Sequence, residues 1–144
     1  MNEPTLPSKP ARVDGQVTGL AGELFVAAEL LKRGLQTSVT FGNAKSIDLI
    51  AYNSKTERTF TVQVKATRKK NVFPISHAKV SPKHVYVFVI LNKPGEPVEY
   101  FVVPGAVLAA EPARFTHWFT DPKFPGIGWR TLRDQGFSEG WHVF

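Results

Sequence analysis

The chain has 144 residues, which is enough for one domain with a single hydrophobic core. It contains no cysteine, which excludes disulfides and thiolate zinc sites, and its 42% hydrophobic and 21% charged residues are typical of a globular protein. The net charge of +6 is concentrated in residues 1–70, which hold 11 Lys and Arg against 6 Asp and Glu, whereas residues 71–144 hold 7 against 6. This asymmetry favours a nucleic-acid partner over the alternative, a merely solubilising surface.

Residues 1–16 combine three prolines with scattered charges and show no hydrophobic period, so we predict a flexible basic arm. Lys9 and Arg12 would contact a phosphate backbone from this arm. The first ten residues lack the apolar core of a signal peptide, and the longest apolar run, residues 85–91, is too short to cross a bilayer. We therefore expect a cytoplasmic protein, with residues 17–144 forming one domain.

Residues 18–33 predict the clearest helix, with Thr18 as N-cap and Gly34 as its left-handed end. At 100° per residue the predicted apolar stripe comprises Val26, Leu30, Ala27, Leu20, Leu31 and Leu24, and the opposite side holds Gly22, Glu29, Lys32 and Arg33. Glu23 lies inside the stripe, between Leu30 and Ala27, where an acid needs a partner from the sheet. The alternative is that Glu23 reaches the rim near the helix start, where the macrodipole favours an acid.

Residues 35–41 predict a first strand, and residues 47–52 and 60–65 alternate with the period of two that is typical of strands. The polar residues 53–59 between the last two suit a hairpin connection. A turn centred on Lys55 and Thr56 would set Asp48 opposite Gln63, and Lys65 would share the face of Gln63.

An acid, an amide and an amine on one sheet face allow two interpretations, which the residues alone leave open. The first is a structural ion pair between Asp48 and Lys65. The second is a cation site, because a carboxylate, an amide oxygen and a backbone carbonyl are hard ligands of the kind that Mg²⁺ or Mn²⁺ accepts. Further basic residues around this hairpin are predicted to bind nucleic acid: Lys45, Arg68, Lys69, Lys70, Lys79 and Lys83.

Pro74 and Pro82 interrupt residues 66–84 and leave room for at most a short helix at 76–80. Residues 84–91 predict a central strand covered on both faces, followed by a strand at 99–103 and a short helix at 104–110. From residue 111 onward the chain holds five Phe and all three Trp. Exposed Phe124, Trp129 or Trp141 could stack on bases, although such rings more often close the open side of a sheet or form a dimer contact.

A helix with a core-facing Glu, followed by a strand pair carrying D-x(14)-Q-x-K, resembles the PD-(D/E)xK nuclease superfamily. The pieces are Gly22-Glu23 in TGLAGELFVAAELLKRG, Asp48 in SIDLIAY, and Gln63-Val64-Lys65 in TVQVKAT. The pattern looks most similar to the archaeal Holliday-junction-resolvase-like branch, and the Gln form of the last motif is similar to that of Mrr-like restriction endonucleases. The resemblance covers residues 18–91, with residues 92–144 as an aromatic extension.

The resemblance implies an α/β fold with a restriction-endonuclease-like core: a mixed sheet of at least four strands with flanking helices, in the order α-β-β-β-α-β. It also implies that Asp48, the Gln63 side chain and the Val64 carbonyl hold Mg²⁺ or Mn²⁺, that Glu23 binds a second ion or a bound water, and that Lys65 positions the attacking water. Ile47 stands where the family motif has proline. Gln63 replaces the usual acid, so metal affinity should be weaker and depend on Glu23 and on the substrate phosphate.

We therefore expect a metal-dependent endonuclease that hydrolyses DNA, with branched or foreign DNA as candidate substrates and a homodimer as the candidate assembly. The alternative is a catalytically silent nuclease-fold module that binds nucleic acid or a protein partner, such as a toxin-neutralising or accessory protein. A third interpretation is a plain interaction protein with an internal Asp48–Lys65 ion pair.

Overall fold

A mixed five-stranded sheet with helices on its faces forms the centre of the computed structural model, which describes residues 14–40 and 47–144. The predicted contacts Lys9, Arg12 and Lys45 lie outside these residues. The helices and strands, in chain order, are α1 (Gly15–Lys32), β1 (Gln36–Val39), β2 (Leu49–Asn53), β3 (Arg58–Thr67), β4 (Val72–Pro74), β5 (His84–Ile90), β6 (Glu99–Pro104), α2 (Gly105–Ala110), β7 (Gly126–Gly128) and α3 (Trp129–Asp134). None of the described helices has the length and apolarity needed to cross a membrane.

Helix α1 begins three residues before the predicted N-cap. The Asp14 side chain caps it by accepting a hydrogen bond from the Gln16 N–H at 2.8 Å. Thr18 lies within the first turn instead, where its hydroxyl donates to the Asp14 carbonyl at 3.3 Å. The prediction for the other end is confirmed, because the chain leaves the helix through Gly34 with φ of +90°.

The buried face of α1 differs from the predicted stripe. The helix buries Thr18, Gly22, Val26, Ala27 and Leu30, whereas the predicted core residues Leu20, Leu24 and Leu31 are 43%, 48% and 54% exposed. Gly22, predicted on the outer side, is the point of closest approach: a Cβ at this position would lie 2.5 Å from the Ala66 Cβ. Because a small residue lets the two backbones approach, close packing on β3 orients the helix, and the larger aliphatic side chains are left outside.

The central sheet has the order β1-β2-β3-β5-β6, in which β3 and β5 are parallel and the other described neighbours are antiparallel. The predicted hairpin register is confirmed, since Leu49 pairs with Val62 and Asn53 with Arg58 around a turn centred between Lys55 and Thr56. Strand β5 is buried along almost its whole length, as predicted for a central strand. The fold class is therefore confirmed as α/β with a mixed sheet and flanking helices.

Between β3 and β5, at the position of the second helix in the expected order, the chain forms the short strand β4 and a 3₁₀ turn at His77–Lys79. Strand β4 pairs with β7, which lies more than fifty residues further along the chain. The extension beyond residue 91 supplies β6 to the main sheet and β7 to this second, two-stranded sheet. Residues 92–144 are thus joined to the part of the chain before them through both sheets.

Alternate residues of β5 enter two apolar clusters on opposite faces of the sheet. Val85, Val87 and Val89 pack with α1, and Trp141 from the extension closes this side. Tyr86, Phe88 and Ile90 face the second cluster, which includes residues of β4, α2, β7 and α3. Most of the C-terminal rings therefore cover the sheet, which is the structural role considered for them from the sequence.

Candidate active site

The candidate site forms where strand β3 extends past its neighbour β2. Strand β3 has ten residues and β2 has five, and the ladder between them ends at the Leu49–Val62 pair. Among the strands that the structure describes, the remainder of β3, from Gln63 to Thr67, pairs only with β5 on its other side. Its edge toward β2 is therefore open, and α1 approaches it through the contact between Gly22 and Ala66.

Asp48 occupies this opening and is bound on both sides of Gln63. Its backbone N–H donates to the Val62 carbonyl at 2.9 Å, and its Oδ2 accepts the Val64 N–H at 2.7 Å. On the other side, the Thr40 N–H donates to the Asp48 carbonyl at 3.0 Å. The carboxyl group thus caps the first β3 amide that β2 no longer reaches, which fixes its orientation.

The Glu23 carboxyl from α1 meets the Asp48 carboxyl. Burial, the negative charge of Asp48 and a hydrogen bond between the two side chains together raise the pKa of Glu23 to about 7. Two carboxyl groups in contact require either a shared proton or a cation between them. The prediction that Glu23 meets a partner from the sheet is therefore met, and this partner is itself an acid.

Gln63 and Lys65 point to the opposite face from α1, as the alternation of β3 dictates, and line an open cleft of about 640 Å³. Glu23 and Asp48 are not among the residues that line this cleft. Asp48 connects the two groups, because its side chain touches Glu23 and its backbone and carboxyl contacts flank Gln63. Glu23 and Asp48 therefore form one pair, and Gln63 and Lys65 form a second pair on the other face of β3, which adjoins the first through the contacts of Asp48 on either side of Gln63.

The Val64 carbonyl points toward the same open edge as the Val64 N–H, because the N–H and C=O of one strand residue face the same neighbour. The N–H is held by Asp48, so the carbonyl oxygen lies on the Asp48 side of β3. Oxygen donors at this edge are therefore the Asp48 carboxyl, the Glu23 carboxyl beside it and the Val64 carbonyl, and the Gln63 amide lies on the other face of β3. This donor set fits a hard cation such as Mg²⁺ or Mn²⁺.

Among residues 14–40 and 47–144, no cluster of three or more His, Cys, Asp and Glu side chains could hold a metal ion. A cation here would therefore depend on two carboxylates together with neutral oxygens, as expected from Gln63 standing in place of an acid. The ion pairs within the same residues are Arg33–Glu29, Arg114–Glu111 and Arg133–Asp134. The Asp48–Lys65 ion pair that the sequence left open does not form.

Within the described residues, the side chains predicted to contact nucleic acid lie in three places. Lys79 lines the cleft beside Lys65, and Lys83 is exposed nearby in sequence. Arg68 and Lys69 line a different hollow at the start of α1, where the Arg68 Nε donates to the Thr18 hydroxyl at 3.0 Å. Lys70 lies 4.8 Å from the centre of the Trp129 ring, in cation–π geometry.

The sequence does not predict that Lys123 and Phe124 lie together in the wall of the cleft. They precede β7, and the pairing of β7 with β4 carries them to the cleft wall. In the sequence, Phe124 is one of several aromatic residues that could stack on bases. Lys123 lies in a segment of low net charge, which gives no reason to predict a nucleic-acid contact there. The contact depends on a pairing between distant three-residue strands, for which no periodicity exists in the sequence.

No protein-family model matches the chain, and no curated protein matches it in sequence. Among solved structures, the bacterial homing endonuclease I-Ssp6803I is similar over 90% of this chain and 90% of its own, with a TM-score of 0.58 and 17% sequence identity. At this identity the likeness concerns the fold. The chain therefore shares its α/β fold with that bacterial homing endonuclease.

Proposed function

We propose that the protein is a metal-dependent endonuclease that hydrolyses DNA phosphodiester bonds at a site of the PD-(D/E)xK type. The observation that carries the proposal is the position of Asp48 at the open edge of β3, where its carboxyl accepts the Val64 N–H at 2.7 Å and lies beside the Glu23 carboxyl. Such a pair is costly without a proton or a cation, and sites that hold it commonly serve a ligand. The fold shared with a bacterial homing endonuclease supports the same class of chemistry.

Each residue has a role that follows from its place. Asp48, Glu23, the Gln63 amide and the Val64 carbonyl would hold Mg²⁺ or Mn²⁺, which supplies electrostatic stabilisation of a phosphate and a water of lowered pKa. The Lys65 ammonium lines the cleft that a DNA strand would enter. There it orients the attacking water and offsets the negative charge that develops on the phosphate oxygens.

The positive charge of the cleft matches a polyanionic substrate. Lys65, Lys79 and Lys123 line it, and no Asp or Glu within residues 14–40 and 47–144 does so. Ammonium groups along a groove bind phosphates in a sequence-independent manner and make binding dependent on salt. Branched or foreign DNA remains the proposed substrate, and cutting both strands would call for a homodimer with two such sites.

Cleavage of supercoiled plasmid and of a four-way junction, each with Mg²⁺ or Mn²⁺, tests the proposal. Asp48→Asn keeps an acceptor for the Val64 N–H but removes the charge, and Lys65→Gln removes the ammonium. We expect both variants to lose at least about a hundredfold in rate, in line with the loss of one main stabilising group. Lys55→Gln, in the exposed hairpin turn, is the matched control and should cleave at the wild-type rate.

Full activity in both Asp48→Asn and Lys65→Gln would refute the assignment. The replacement of the usual acid by Gln63 favours one second candidate, a catalytically silent nuclease-fold module. Mn²⁺ separates the two, because a ligand that binds only the folded state raises the melting temperature. A silent module would show neither this rise nor cleavage, whereas an endonuclease shows both, and the rise is reduced in Asp48→Asn.

A further inference from the structure

Phe124 is the most exposed of the large apolar side chains that the structure describes, at 81%. It forms part of the wall of the cleft that also contains Gln63 and Lys65. The other two rings considered for stacking are occupied: Trp141 is buried, and the Trp129 ring is covered by Lys70 at 4.8 Å and Arg133 at 4.9 Å. Single exposed aromatic rings are common on protein surfaces, so a functional role for Phe124 has to follow from its position in the cleft and from the contacts that hold its backbone.

The segment that carries Phe124 is held at both ends. The Asp121 Oδ1 accepts the N–H groups of Lys123 at 2.8 Å and of Phe124 at 3.0 Å. Beyond the ring, the Pro125 carbonyl accepts the Ile75 N–H at 3.3 Å, and Gly126 pairs with Pro74. Phe124 is therefore presented to solvent by an ordered turn, so little conformational entropy is lost when a ligand covers it.

The cleft around Phe124 combines an apolar wall with cationic groups. Val72, also exposed at 53%, and Phe124 supply apolar surface, and Lys65, Lys79 and Lys123 supply positive charge. A nucleotide has the matching chemistry, because its base offers a flat π-face and its phosphate a negative charge. A base within an intact duplex cannot offer that face, so the bound strand must present an unstacked base.

We propose that Phe124 is a base-stacking residue: its ring stacks on an unstacked base of the bound strand while Lys79 and Lys123 contact the flanking phosphates. The inference rests on the proposed function for the entry of a DNA strand into the cleft. It adds that the preferred ligand is single-stranded, gapped or kinked DNA.

The test measures binding of the full-length protein to a single-stranded oligonucleotide by fluorescence anisotropy, in EDTA so that no cleavage occurs. The same oligonucleotide with abasic sites serves as a second probe. Phe124→Ala should weaken the Kd for the base-containing strand by about 5- to 150-fold, bring it close to that for the abasic strand, and leave the salt dependence unchanged. Lys123→Gln should instead lower the salt slope by about 0.7, the contribution of one phosphate contact.

Phe124→Trp keeps a stacking ring and should bind like wild type. Trp118→Ala removes an exposed ring, 53% accessible, that does not line the cleft, and it should also bind like wild type. A Kd within twofold of wild type for Phe124→Ala, equal loss in Trp118→Ala, or absence of binding by the wild-type protein would overturn the inference.

Cleavage separates this inference from the proposed function. If the wild-type protein cleaves DNA and Phe124→Ala binds and cleaves equally well, the stacking role is refuted and the endonuclease assignment stands. If the wild-type protein binds the strand in a Phe124-dependent manner but does not cleave DNA with Mg²⁺ or Mn²⁺, the stacking role stands and the endonuclease assignment fails.

Discussion

Replacing Glu23 by Gln removes the charge from the carboxyl contact with Asp48 while keeping the size and hydrogen-bonding capacity of the side chain. In the folded protein the pKa of Glu23 is raised from the usual 4.5 to about 7. Between these two values the folded state keeps a proton that the unfolded state has lost. The free energy of unfolding should therefore fall as the pH rises from about 4.5 to about 7, and level off above that.

The full shift corresponds to at most about 3.4 kcal/mol at 1.36 kcal/mol per pKa unit. Because the Glu23 side chain is only half-buried, solvent screens the interaction, and we expect about 1–2 kcal/mol. Glu23→Gln has no charge to lose, so it should match wild type at pH 4.5 and be more stable by this amount at pH 8. For a domain of this size the difference in melting temperature is about 3–6 °C.

Thermal and urea unfolding of both proteins at several pH values between 4.5 and 8 measures this difference, and the subtraction removes contributions from the other titrating groups. With Mn²⁺ at pH 8 the order should reverse, because a cation stabilises the wild-type carboxylate pair and binds the variant more weakly. Parallel pH profiles for the two proteins would show that Glu23 does not titrate in contact with Asp48. The geometry of the candidate site would then be refuted.

Gly22→Ala should lower the free energy of unfolding by about 1–3 kcal/mol and weaken Mn²⁺ binding, because the new methyl group would displace α1 from Ala66. In Gly19→Ala, in the same helix, the methyl group meets nothing within 4 Å, so the free energy of unfolding should be unchanged or raised by up to about 1 kcal/mol. Denaturant unfolding measures both variants, and equal effects would contradict the packing argument. Trp141→Ala should lower the free energy of unfolding by about 3–5 kcal/mol, because the buried ring closes one apolar cluster. Trp118→Ala removes an exposed ring and should change the free energy of unfolding by less than about 0.5 kcal/mol. Similar melting temperatures for these two variants would refute the assigned burial.

The β2–β3 hairpin could be predicted from the sequence because strand alternation and a short polar turn are local signals. They give the register that sets Asp48 beside Gln63, and the structure has the same register. The extra contacts of Asp48 with Val62 and Val64 could not be predicted, since they depend on where β2 ends relative to β3. Local pattern thus singles out the residues of the candidate site, and the strand lengths determine their geometry.

The orientation of α1 shows a different limit. A helical projection ranks faces by hydrophobicity and therefore placed Leu20 and Leu24 in the core. The face that α1 buries in the structure is rotated by about a quarter turn from the predicted stripe, because the helix approaches β3 most closely at the small residue Gly22. Glu23 lies between Leu30 and Ala27 on the helix surface, and both belong to the predicted and to the observed buried face, so the expectation that Glu23 faces the sheet does not depend on the incorrect choice of Leu20 and Leu24.

The parallel pairing of β3 with β5 determines when the site becomes ordered during folding. The β2–β3 hairpin closes over a short turn, but the half of β3 that carries Gln63 and Lys65 pairs with β5, about twenty residues further along the chain. Closing that longer loop is slower than closing a hairpin, so the two side chains should acquire fixed positions only after the crossover has formed. A nascent chain would thus carry a formed hairpin before it carries an assembled cleft.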